Sequence, residues 1–284
     1  MTYKNTVGDW RRNSERGWQA RLTLRFEAVA ARTELTRREH VGPLLVQRPF
    51  YPEERPCHVY IIHPPGGVAS GDQLVLDVAA GPGAHALLTT PAAGKFYRRG
   101  PAGCSRVRQS IAVDQGTLEW LPQENIFYPQ AAADVATVVQ LTGAARFIGW
   151  EIACLGLPAS ERGIEDGLLR LRFELWRERT PLLLERLNMT QESQRGRFGL
   201  QGHAAFGTAL LFPAGAAELE LARQCLPANC ADLLLACTLV DGVLVCRGTG
   251  RRADRLKEAF VRWWQALRPA VLGREAVRPR IWST

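Results

Sequence analysis

Apolar and polar residues alternate with a period of two along much of the first two thirds of the chain. Ala20, Leu22, Leu24 and Phe26 alternate with Arg21, Thr23, Arg25 and Glu27. Val107, Gln109, Ile111 and Val113 alternate with Arg106, Arg108 and Ser110, and Leu169, Leu171, Phe173 and Leu175 with Arg170, Arg172 and Glu174. Val135, Thr137, Val139 and Leu141 form a fourth such row. Side chains on a strand point to opposite faces in turn, so each run predicts a half-buried strand. Turn residues such as Asp114-Gln115-Gly116 and Thr142-Gly143 separate the runs. Strands then recur roughly every 8 to 15 residues, which predicts a mainly β body, layered or solenoid-like. No fixed sequence period accompanies them, so a regular β-helix does not follow from the residues.

The stretch from His58 to Arg99 is the densest. Its β-rich runs His58–His63, Gln73–Ala79 and Ala84–Thr90 are punctuated by Gly and Pro, and Leu74, Leu76 and Val78 share one face of the middle run. Gly66 to Asp72 invites a phosphate-cradle reading, because Gly-rich loops expose N–H groups. It has no Gly-Lys-Ser/Thr ending and no Gly-x-Gly-x-x-Gly, and a strand-like segment follows, so it reads as a tight corner.

The last third changes character, with about two helices expected. Ala216 to Leu226 has helix formers and no interior Gly or Pro. Arg252 to Arg268 carries one apolar stripe through Leu256, Phe260, Trp263 or Trp264, and Leu267, and Pro269 is expected to stop it. The helix is expected to cover one face of the β body; a partner groove is the alternative, because two adjacent Trp cannot both point the same way, which makes Trp263 and Trp264 candidate partner-binding residues. Between these helices, Asp241-Gly242 predicts a two-residue hairpin. Residues 1–17 read as a flexible lead-in and 18–284 as a single domain.

Composition narrows the class. The chain has 284 residues, 46% of them hydrophobic, enough for a substantial core. No apolar run reaches the roughly 18 residues of a membrane span, and the polar N-terminus lacks a signal-peptide centre, so a soluble cytoplasmic protein is expected. Seven cysteines without a Cys-x-x-Cys argue for buried thiols rather than a disulfide framework. The net charge of +8 favours acidic partners in general, but the arginines are dispersed and no nucleic-acid motif accompanies them.

Catalytic constellations do not emerge. There is no Gly-x-Ser-x-Gly and no His-Glu-x-x-His, and the five histidines are scattered. The carboxylates Asp72, Asp77, Glu119, Glu124 and Glu151 stand out by context, in or beside apolar strands and the central turn. Such acids face either water or a polar interior.

Several motifs carry a resemblance. His63-Pro64-Pro65-Gly66-Gly67 with Gly71-Asp72, Leu88-Thr89-Thr90-Pro91 and Lys95-Phe96-Tyr97-Arg98 resemble the signature of the urease accessory protein D family, called H in some organisms. Leu118-Glu119-Trp120-Leu121-Pro122-Gln123-Glu124, Gly149-Trp150-Glu151 and Arg278-Pro279-Arg280-Ile281-Trp282 are similar to its later motifs, in the expected order. The resemblance implies a right-handed, β-helix-like stack and a non-enzymatic urease maturation scaffold. It also implies binding to accessory protein F, through it to the nickel-carrying GTPase G, and to apo-urease. No tightly bound cofactor is expected; nickel passes in transit. Nickel in transit needs weak oxygen or nitrogen contacts rather than a tight cage, which makes Asp72, Asp77, Glu119, Glu124 and Glu151 candidates for lining an internal route. Two rival classes remain open: a β-solenoid carbohydrate-active enzyme, which needs paired carboxylates, and a basic nucleic-acid-binding protein.

Overall fold

The computed structural model describes residues 17–283. The expected lead-in over residues 1–17 thus lies, except for Gly17, outside the described residues. The chain starts with β1 (Gln19–Val29) and β2 (Arg32–Val41), which pair antiparallel, followed by β3 (Leu45–Val46) and β4 (Cys57–Ile62). Winding then becomes regular through β5 (Gln73–Ala80), β6 (His85–Thr89) and β7 (Gly94–Phe96), then β8 (Ser105–Asp114), β9 (Thr117–Trp120) and β10 (Asn125–Phe127), then β11 (Ala132–Thr142) and β12 (Arg146–Leu155). The hairpin β13 (Leu168–Arg177) and β14 (Thr180–Met189) closes this part. Next come α1 (Gln191–Arg195), β15 (Ala205–Phe212), α2 (Ala216–Cys225), β16 (Leu233–Val240), β17 (Val243–Gly250) and α3 (Ala253–Leu272).

The result is a β-solenoid of about 4 turns. One wall is the sheet β14-β13-β11-β8-β5-β1-β2, in which β1, β5, β8, β11 and β13 run parallel. The other runs β16-β17-β15-β12-β9-β6-β4-β3, and β7 and β10 form a short third face beside β12. Each turn places equivalent side chains above one another. Phe96 and Phe127 stack with centroids 4.6 Å apart, flanked in register by Leu155. The apolar phase of each predicted alternation faces this interior: Leu22, Leu24 and Phe26, then Leu74, Leu76 and Val78, then Val107, Ile111 and Val113. Regular winding of this kind needs no sequence period, because backbone pairing repeats while side chains need only be apolar.

A second core lies outside the second wall, where α2 and α3 cover it with Phe260, Trp263, Trp264 and Leu267. The hairpin at Asp241-Gly242 forms as predicted, with φ of 47° and 77° at the two turn residues, the conformation that matches strand twist. Helix α3 departs from expectation at its end: it runs through Pro269 to Leu272. Pro269 removes one helical N–H near the terminus only, and the Gly273 N–H closes on its carbonyl at 2.9 Å. The short α1, capped by the Thr190 hydroxyl at the Ser193 N–H, was not expected from the sequence.

Candidate functional site

Four polar residues interrupt the apolar rows that face the solenoid interior. On the first wall, Gln109 of β8 and Thr137 of β11 are register partners. On the second wall, Glu151 of β12 and Thr208 of β15 are register partners, and the next residue across is Arg247 of β17. Thr137 is fully buried, while Gln109 and Glu151 on either side of it keep partial solvent access. A cleft opens toward the interior here, lined by Glu151, Phe173, Glu185, Leu187, Phe206 and Thr208.

The Thr137 hydroxyl lies 2.5 Å from Gln109 Oε1 and also reaches Glu151 Oε1. A hydroxyl has one proton, so it can donate to only one of them. Both contacts are satisfied when Glu151 is protonated and donates to Thr137, which donates to Gln109. Burial pushes the Glu151 carboxyl up to about 7, against the opposing Thr137 hydrogen bond, and the negative charge of Glu185 adds to the rise. Trp120 Nε1 is buried close to this carboxyl without a well-formed hydrogen bond among the described residues. At the open side, Glu185 accepts a bond of 2.7 Å from Arg247 Nε. The file thus offers amide, hydroxyl and carboxylate oxygens in series. No group of three or more His, Cys, Asp or Glu able to cage a metal occurs among the described residues.

A second constellation lies on the far side of the second wall. Arg268 of α3 is fully buried between Glu119 and Glu53, at 3.0 Å and 2.7 Å. Trp264 Nε1 donates to Glu119 Oε2 at 2.6 Å, and His85 and His58 each place Nε2 at 2.7 Å from Glu119 and Glu53. Burial alone would raise Glu119, but the His85 hydrogen bond and the Arg268 guanidinium overcome it and hold the group at about 2. Every oxygen of Glu119 is committed to these partners, so this cluster fastens the helix to the wall.

The five acids selected from the sequence therefore do not converge. Only Glu151 faces the interior. Asp72 is buried at the central turn, where it accepts from Trp18 N at 2.8 Å and Ala69 N at 2.7 Å and so fixes the corner. Asp77 points outward from the first wall and pairs with Arg21 at 2.5 Å. Glu119 is sealed under α3, and Glu124 lies in the connection between β9 and β10 beside Lys257 of α3. Trp263 and Trp264 are both fully buried, which corrects the expectation of a partner surface. The helix buries a face wide enough for both rings because it sits in a trough formed by the wall, α2 and Trp282. The interior residues Gln109, Thr137, Thr208 and Glu185 were not selected. The signal for two of them was present: Gln109 and Thr137 are polar residues in the apolar phase of an alternation.

The model of the family described as UreD urease accessory protein matches residues 19–283. The chain is 43% identical to the urease accessory protein UreD of Alcanivorax borkumensis, covering 100% of both chains. It is 42% identical to the same-named protein of Citrobacter koseri, over 95% of this chain and 93% of that one. With that of Klebsiella aerogenes it shares 40% identity, over 95% and 98%.

Proposed function

The chain belongs to the UreD family of urease accessory proteins, and from that premise we propose that it is a non-enzymatic scaffold that joins accessory proteins F and G to apo-urease and conducts nickel through its interior. The observation that carries the reading is the polar file of Gln109, Thr137, Glu151, Thr208 and Glu185 inside an otherwise apolar solenoid. A cargo ion must be held loosely enough to leave. Single oxygens offered in series bind a divalent ion weakly at each step, whereas a thiolate or imidazole cage would retain it. Glu151, with a carboxyl poised near neutral pH, gives up its proton when a cation arrives and regains it when the cation departs. The interior then carries no permanent bare charge between passages.

The test is replacement of Glu151 by Leu. The variant should assemble with accessory protein F and with apo-urease as the wild type does, while nickel incorporation and urease activation fall about tenfold or more. Normal activation with intact assembly would place the route elsewhere.

A further inference from the structure

Helices α2 and α3 pack on the second wall, and α1 touches the first wall only at its edge strand β14, so the outer face of β1, β5, β8, β11 and β13 carries no packed helix among the described residues. Its outward residues form cross-strand rungs. One rung reads Arg21, Val75, Arg108, Ala136, Arg172 and Arg186 across β1, β5, β8, β11, β13 and β14. The rung beside it carries Arg106 and Arg170 on either side of Asp134. Strands lie about 4.8 Å apart, so six guanidinium groups spread over roughly 25 Å of one flat face.

The sheet itself gains little from this arrangement. Arg172 and Arg186 are direct cross-strand partners, and like charges placed opposite each other destabilise a sheet. Asp134 serves Arg108 at 2.7 Å and Arg172 at 3.7 Å, Asp77 serves Arg21, and Glu174 serves Arg186. That leaves Arg106 and Arg170 exposed, with no side-chain hydrogen bond or ion pair among the described residues. Three carboxylates therefore face six arginines, and the surplus has no structural use within the chain.

We propose that this arginine-runged face is a docking surface for an acidic face of a protein partner. Charge complementarity selects the occupant. A second copy of the chain brings the same sign, with a net charge of +8. Nucleic acid would set its phosphates against Asp77, Asp134 and Glu174 in the middle of the face, whereas a protein surface can place its own cations there. Naming the partner as a component of the urease maturation assembly rests on the function proposed above; the surface itself does not.

The experiment compares the wild type with Arg106→Glu/Arg170→Glu, the milder Arg106→Gln/Arg170→Gln, and a control, Arg262→Gln, on the exposed side of α3. Purified apo-urease and accessory protein F are the probes, with duplex DNA as a third. Binding is measured by biolayer interferometry at about 50 and about 200 mM NaCl, a range over which surface charges become screened. The reversal should weaken binding to at least one of the two proteins about tenfold or more at low salt and flatten its salt dependence. The Gln pair should give a smaller loss in the same direction, and the control none. Unchanged affinity for both proteins overturns the proposal, as does a loss confined to DNA. Because Glu151 lies inside the solenoid, failure here leaves the nickel-route test unaffected, and failure there leaves this surface standing.

Discussion

Glu119 and Glu151 lie on adjacent strands of one wall and face opposite sides of it, Glu119 toward Arg268 of the covering helix and Glu151 toward Thr137 across the interior. The same residue type is driven in opposite directions. Beside a guanidinium and an imidazole it is held at about 2, and in an interior with a second acid nearby it rises to about 7. Which side of the wall a glutamate faces decides whether charged partners hold it ionised or burial favours its protonated form.

Replacement of Glu151 by Gln should change how stability responds to pH. An unfolded glutamate ionises near 4.3, while the folded group keeps its proton up to about 7. Between those values the folded state binds more protons, so wild-type stability falls as pH rises. The Gln variant should lose that slope and exceed the wild type at pH 8 by on the order of 2 kcal/mol. Urea unfolding at about pH 5 and about pH 8 measures the difference; parallel curves for the two proteins would refute it.

Arg268→Met should destabilise the protein by about 3–5 kcal/mol at neutral pH, because Glu53 and Glu119 are left buried and unpaired. Adding Glu119→Leu should recover part of the loss. The depressed Glu119 carboxyl gives a second sign: its stabilising contribution is present above the ordinary carboxylate range and is lost as pH falls toward about 2. Thermal unfolding of the single and double variants provides the measurement.

Trp264→Phe removes the indole donor to Glu119 while keeping most of the ring volume. A loss of about 1–3 kcal/mol is expected, with unchanged affinity for accessory protein F. A selective loss of F binding at unchanged stability would restore the partner role assigned from the sequence.

Two neighbouring glycines should behave differently. A Cβ at Gly67 would sit 2.4 Å from Tyr97 Cε2 and 3.0 Å from the Lys95 carbonyl oxygen; the exposed Tyr97 ring can turn away but the carbonyl cannot, so Gly67→Val should lower soluble yield. Gly66 has φ of 76° and nothing within 4 Å of its Cβ position, so Gly66→Ala meets only backbone strain of about 1 kcal/mol. Equal yields for the two variants would show that ring crowding at Gly67 is relieved.

The alternations at Ala20–Phe26 and Leu169–Leu175 were legible because each of these strands buries one face. The Asp241-Gly242 hairpin was legible because positive φ selects those residues. The polar file was legible only in part: Gln109 and Thr137 break an apolar phase, but an acid beside apolar residues reads the same whether it faces solvent, an ion pair or an interior. Glu119 and Glu151 both follow a hydrophobic residue and precede another, and only the phase of their strands separates them. Trp263 and Trp264 misled for a related reason. A helix pattern gives one apolar stripe, whereas here the wall, α2 and Trp282 together receive both rings.

The contact between Arg268 and Glu53 spans 215 residues. A solenoid can wind as it is synthesised, each turn laid on the one before. Two carboxylates on its outer wall must nevertheless wait for a guanidinium that leaves the ribosome about 10 to 40 s after Glu53, at typical rates of elongation. Until then that wall is an uncovered and mostly apolar surface, and Glu53 and Glu119 stay accessible to water. The order of the chain thus brings the covering helix, and then Trp282, to the wall after the solenoid turns beneath them, and in the interval before they arrive that surface is open to chaperones and to aggregation.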